Sequence, residues 1–188
     1  MAFSINEFRS QMTGDGARPN LFEVKMAFPG FSETQGTLNA TNKITFMCKS
    51  AQLPGSTVNV VPVQYFGREL KFAGNRTFTD WTITVINDED FIVRNSFERW
   101  LNAINHHVTN YRNEVAIRPS DYTRNADVTQ YGKDGKILKN YRFVGMFPTD
   151  VSPIDVDWGS NDTIEEFTVT LTYQWWESDQ VNIRSGTV

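Results

Sequence analysis

Glu166-Phe167-Thr168-Val169-Thr170-Leu171-Thr172-Tyr173-Gln174-Trp175 sets Phe, Val, Leu, Tyr and Trp at alternate positions against Glu, Thr, Thr, Thr and Gln. Successive side chains of an extended chain point to opposite faces, so the stretch predicts a strand with one apolar and one wet face. Residues 77–86 repeat the pattern, with Thr77, Thr79, Trp81, Ile83 and Val85 opposing Phe78, Asp80, Thr82, Thr84 and Ile86. Shorter period-two runs occur at Phe22, Val24, Met26 and Phe28, at Ile44, Phe46 and Cys48, and over residues 58–63 and 68–72. Pro62 lacks a ladder donor and moves the run over 58–63 toward an edge or a bulge. Lys133-Asp134-Gly135-Lys136 separates residues 128–131 from 137–147 and predicts a hairpin turn. Ile154, Val156 and Trp158 alternate with Asp155 and Asp157 before a turn at 159–162, which reads as a hairpin with acids on its wet side.

One helix interrupts the strands. Val93, Phe97, Trp100, Leu101 and Ile104 recur at helical spacing. Asn87 or Asp88 can cap it, and Glu89 and Asp90 suit its first turn, so it is expected over about residues 88–105. Ile5, Phe8 and Met12 predict a short amphipathic turn or two that ends at Gly14-Asp15-Gly16. Residues 29–43 read as a long polar loop and 108–125 as irregular. The fold expected is mainly β, an antiparallel sandwich or barrel of about eight strands with one flanking α-helix. An N-terminal arm over 1–16, a β domain over 17–177 and a C-terminal extension over 178–188 complete the organisation.

The chain has 188 residues, 39% of them hydrophobic and 13% aromatic, so aromatics must supply much of the burial. No apolar run approaches the roughly 18 residues of a membrane helix, and residues 1–12 lack the apolar stretch of a secretory signal. The chain is therefore expected to be made and folded in a cytoplasm, where the Asn-x-Thr triplets at Asn39, Asn75 and Asn161 are chance occurrences. A net charge of −4 argues against a nucleic-acid reader, whose footprint is a basic stripe.

Nothing in the sequence assembles a catalytic constellation. Cys48, the single thiol, falls on the apolar side of its run and reads as core packing. His106 and His107 are adjacent, point to different faces and make a poor chelate. Asp155-x-Asp157-x-Gly159 with Glu166 mimics a calcium-loop spacing, but Ser160 stands where that loop requires glycine. No enzyme activity, cofactor or metal is expected. The basic cluster Arg68, Lys71 and Arg76 lies beside Tyr65, Phe66 and Phe72, and in an acidic chain suits a protein contact better than nucleic acid.

Ala17-Arg18-Pro19-Asn20-Leu21-Phe22-Glu23-Val24 resembles the tail tube proteins of contractile-tailed (myovirus-type) bacteriophages. The resemblance continues through residues 48–55, is strongest over 73–89, and resumes at 147–151, 156–161, 167–171 and Trp176-Glu177. The chain departs from shorter family members in its polar insert within 29–43 and in its extension over 178–188. The family is related to the tubes of type VI secretion and contractile injection systems. It implies a structural virion protein, assembled in the host cytoplasm as hexameric rings stacked inside a contractile sheath, with a lumen that conducts DNA during ejection. Implied partners are copies of itself, the sheath, tape measure, baseplate and tail-terminator proteins, and DNA as non-specific cargo, with no membrane anchor. A baseplate tube-initiator, a tail-terminator ring and the tube of a DNA-free injection system are alternatives on the same domain. In such a tube Thr82, Thr84, Thr168, Thr170 and Thr172 are candidates to line the lumen. Arg68, Lys71, Arg76 and Asp80, with the arm and the tail, are candidates for contacts between subunits and rings, Arg76 and Asp80 as a possible ion pair.

Overall fold

The computed structural model describes residues 4–12, 16–33 and 39–179. The Gly14-Asp15 part of the expected breaker, the middle of the polar insert and nearly all of the C-terminal extension lie outside these. Nine strands form in chain order: β1 (Phe22–Met26), β2 (Cys48–Ala51), β3 (Ser56–Tyr65), β4 (Arg68–Phe78), β5 (Trp81–Ile86), β6 (Arg124–Tyr131), β7 (Ile137–Val151), β8 (Glu166–Thr172) and β9 (Trp175–Ser178). Seven of them make an antiparallel sheet in the order β1-β6-β7-β8-β5-β2, with β9 also on β7, while β3 and β4 pair only with each other. The mainly β antiparallel class read from the sequence is the class observed.

The long strand β7 makes the sheet fold on itself. Its first part pairs with β6 and β9, its last part with β8. At the corner Gly145 takes φ +66, and a Cβ there would lie 2.8 Å from Gln174 Cγ, so the bend requires glycine. The two halves enclose one core. Val24, Met26, Ala126, Val128, Phe143 and Met146 come from one half, and Trp81, Ile83, Val85, Phe167, Val169 and Leu171 from the other. Trp81 stacks on Phe143 with ring centroids 4.3 Å apart, and its Nε1 donates to the Gln52 carbonyl at 2.8 Å. Trp81, Phe97, Trp100, Phe143 and Phe167 are the largest of the fully buried side chains, so aromatics fill the centre of the core.

The helices are α1 (Ile5–Gln11), α2 (Ala40–Met47), α3 (Ile92–Ile104) and the single turn α4 (Pro119–Tyr122). In α3 Val93, Ser96, Phe97, Trp100 and Ala103 are buried, and Phe28 meets Phe97 edge-on at 4.8 Å. Its start is four residues later than the sequence suggested. Residues 88–91 form a turn in which Phe91 N–H donates to the Asp88 carbonyl, and Phe91 itself takes φ +52. Asp90 serves the helix from outside by accepting from Ile92 N–H at 3.0 Å. Helix α1 forms at the expected spacing with no buried residue.

Four further expectations are corrected. Ile44 and Phe46 do not share a strand face: Asn39 caps α2 by accepting from Asn42 N–H, which buries Ala40 and Ile44 at i, i+4 and exposes Phe46. Residues 77–86 are not one strand, because the chain leaves β4 at Phe78 and enters the large sheet at Trp81. The run through Tyr173 divides at Gln174 into β8 and β9, leaving Trp175 about half exposed. Residues 152–165 form no strand at all, and Val156, Trp158 and Ile164 face outward.

Replacing Trp81 by Ala removes the stacked pair and leaves the Gln52 carbonyl without its donor. A loss of about 3–5 kcal/mol is expected, read as a lowered urea midpoint with an unchanged slope.

Candidate assembly surfaces

Three features of the surface stand out from the core-building pattern. The first is the hairpin. Tyr65 pairs with Arg68 across a two-residue turn in which Phe66 takes φ +46 and Gly67 φ +79, the left-handed pair such tight turns require. Val61 lies opposite Phe72 and Val63 opposite Leu70, so an apolar stripe of four side chains runs along one face. All four are about half exposed, and both strands are exposed along nearly their whole length. An isolated two-stranded hairpin is marginal in water, and among the described residues this one keeps its apolar stripe half exposed.

Arg68, Lys71 and Arg76 all sit on β4 and all are exposed. Lys71 lies opposite Pro62 with its Nζ 3.9 Å from Glu69 Oε1, and Arg76 lies opposite Val58. Asp80 is separate from them, at the joint between β4 and β5, where its Oδ1 accepts from Thr172 Oγ1 at 2.6 Å.

The second feature is a threonine face. Thr82 lies directly opposite Thr170 and Thr84 opposite Thr168, while Thr172 is tied to Asp80. All five candidate threonines are thus brought together on the side of β5 and β8 away from the core, and all are half-buried. Ser50 extends the row through Thr84 onto β2, and Asp150 lies opposite Thr170 on β7. Lys49 at the margin meets Glu166 at 2.6 Å. The face therefore offers hydroxyls, two acids and a neutralised lysine.

The third feature was not found from the sequence. Lys43, in α2, reaches both Asp88 and Asp90 ahead of α3, with Asp88 Oδ2 at 2.6 Å. Its side chain is only 12% exposed, so the pair clamps the polar insert to the start of the helix. Burial works against the charged lysine, but the hydrogen bonds it donates to Asp88 and Asp90 outweigh it and hold the ammonium above its ordinary value of 10.5. Asp88 is held below its ordinary 3.8, first by Lys43 and then by Glu89 N–H. The signal available beforehand was a lone lysine at the end of a polar run whose one other charge is Glu33.

The remaining reactive residues are structural. Burial pushes the Cys48 thiol up to about 12, far from a working nucleophile. His106 Nδ1 faces Val108 and Thr109 N–H in its own turn, and Asp157 Oδ1 accepts from Gly159 N–H. Among the described residues no group of three His, Cys, Asp or Glu side chains could hold a metal ion, and no helix is long and apolar enough to cross a membrane.

The family model described as phage tail tube protein matches residues 17–179. The tail tube protein gp19 of Enterobacteria phage T4 is 37% identical over 171 residues, covering 90% of this chain and 96% of that protein. The tail tube protein of Serratia phage KSP90 is 26% identical over 172 residues, covering 90% and 94%. A chain in the cryo-EM structure of the anti-feeding prophage baseplate matches with TM-score 0.61 at 14% identity, over 88% of this chain and 97% of that one. A chain of the PVC sheath-tube complex, from an extracellular contractile injection system in the extended state, matches with TM-score 0.53 at 15% identity, over 94% and 98%. At these identities the two structures establish the fold alone.

The Lys43 clamp has a pH signature. Because the folded Asp88 pKa is lowered, its contribution is complete above the ordinary carboxylate value and disappears as pH falls through the folded one. Lys43 contributes fully below 10.5 and loses its contribution only as pH rises through its raised value. Lys43→Met is therefore expected to lower the urea midpoint at neutral pH, with the gap to the unsubstituted protein narrowing as pH falls below the ordinary carboxylate value and not as it rises from 7 toward 10.

Proposed function

The chain belongs to the phage tail tube protein family, and from that membership we propose that six copies close into a ring, that rings stack into a tube, and that DNA passes through the lumen. It is a structural component of the virion, a tail tube protein of contractile-tailed phages, and no enzyme. The observation that carries the assembly reading is the β3–β4 hairpin, whose apolar stripe has no cover among the described residues. The sheet adds to it, since β1 and β2 stand at opposite ends of the strand order with one hydrogen-bonded neighbour each. Edge strands invite pairing with another chain, and closing the sheets of six copies edge to edge removes such edges.

The threonine face suits the lumen. DNA is held by Lys and Arg that neutralise phosphates, so a conduit works best without them. Thr82, Thr84, Thr168, Thr170 and Thr172 bind water and no phosphate charge, and Asp80 and Asp150 repel it. The contractile sheath surrounds the tube, the tape measure occupies it during assembly, and baseplate and terminator proteins close its two ends. Arg68, Lys71 and Arg76 belong to the contacts between copies, because they ride on the exposed hairpin, and the N-terminal arm and C-terminal extension flank the same β domain as further bridges. Asp80, bonded to Thr172, serves the threonine face instead.

The fold alone does not choose between a tube subunit and a terminal ring, since it also occurs in the anti-feeding prophage tube terminating cap at TM-score 0.61. Identity of 37% to the T4 tail tube protein over nearly its whole length favours the tube.

Purified protein at high concentration is expected to give long hollow tubes by negative-stain microscopy. Single rings would indicate an initiator or terminator, and a monomer near 21.5 kDa at every concentration would contradict self-assembly. Leu70→Asp with Phe72→Asp in the hairpin is expected to leave the circular dichroism of the body unchanged and to abolish tubes.

A further inference from the structure

The outer face of the first half of the sheet carries charges of alternating sign. Lys25 on β1 lies opposite Asp127 on β6, and Asp127 opposite Arg142 on β7. Val24, Met26, Ala126, Val128 and Phe143 next to them in these strands are buried, so the row points away from the core, on the side opposite the threonine face. Helix α2 stands beside β1, where Thr41 Oγ1 accepts from Phe28 N–H at 3.1 Å. It buries Ala40 and Ile44 and lays Asn42 and Thr45 along the same row. Row and helix wall a cavity of about 530 Å³, which Arg124 at the start of β6 completes.

The positive charge of this cavity is not cancelled within it. Lys25 is matched by Glu23 at 2.9 Å. Arg124 donates to the Ser120 and Thr123 carbonyls at 3.2 and 2.7 Å, which fixes its guanidinium but leaves its charge unopposed. Among the described residues Arg142 makes no hydrogen bond or ion pair. Asp127 is the one acid of the lining and answers one of its three cations. The lining is thus net positive in a chain whose net charge is −4. Guanidinium groups offer forks of N–H donors that fit phosphate oxygens. Donors that come from β6, β7 and α2 at once suit a tetrahedral anion better than a planar one.

We propose that this cavity binds a phosphate-type oxyanion, free or carried on an ester, held by Arg142 and Arg124 with Asn42 and Thr45 and opposed by Asp127. The bound anion ties α2 to β6 and β7 and stabilises the folded chain according to its occupancy. The site lies off the threonine face and does not depend on self-assembly.

Thermal unfolding of the dilute chain in rising inorganic phosphate, against sodium chloride at the same ionic strength, tests it. Phosphate is expected to raise the midpoint beyond anything chloride does. Arg142→Gln changes an exposed side chain, so its midpoint without phosphate is expected to stay where it was while phosphate binds about tenfold more weakly or worse. Asp127→Asn removes the opposing acid and is expected to tighten binding, an effect that lost packing would not produce. Short oligothymidylate, with Arg142→Gln as control, separates the two sources: a shift at lower phosphate-group concentration than inorganic phosphate assigns the site to esters, a weaker one to the free anion. Equal midpoints in phosphate and chloride, a phosphate shift that Arg142→Gln leaves intact, or one that Asp127→Asn weakens would overturn the site.

Discussion

The register between β5 and β8 fixes the rest of the molecule. With Thr82 against Thr170 and Thr84 against Thr168, Trp81, Ile83 and Val85 enter the core beside Leu171, Val169 and Phe167. A slip of one residue would bury the threonines and expose the aromatics, so one face being apolar holds the register firmly. From that pair follow the stacked Trp81 and Phe143 and the hydroxyl row on the far side. A hydrophobic fraction of 39% suffices because the apolar side chains are gathered on one side of each strand and are large.

Much of this was legible in the alternation. Residues 81–86 of β5, residues 166–172 of β8, the Asp-Gly turn after β6 and the apolar stripe of α3 appear where their periodicity puts them, because each pattern is long enough to distinguish period two from period 3.6. Elsewhere the alternation ran past the strand it marked, at 77–80 and 173–175, or was short enough that both periods fit. Ile44, Phe46 and Cys48 alternate, yet Ala40 and Ile44 also stand four apart, and the Asn39 cap decides for a helix. Alternation also says nothing of what a face meets. Val61, Val63, Leu70 and Phe72 align as cleanly as core residues but project into solvent, and Val156 and Trp158 alternate in a segment with no strand partner.

The same limit governs the candidate site. The five threonines could be grouped from spacing because strand neighbours are fixed by register. The assignment of Asp80 to Thr172 and of Lys43 to Asp88 and Asp90 depends on contacts across 92 and about 45 residues of chain, which local patterns do not encode. The resemblance supplied the function, and the structure supplies the surfaces that this function would use: a hydroxyl face with two acids that repel phosphate, the edge strands β1 and β2, and a hairpin uncovered among the described residues.

The most direct test is a cryo-EM reconstruction of the assembled tube at side-chain resolution. The account predicts a lumen walled by β5 and β8, with Thr82, Thr84, Thr168, Thr170 and Thr172 facing the channel. A lumen walled by the opposite sheet face or lined with Lys and Arg would contradict it.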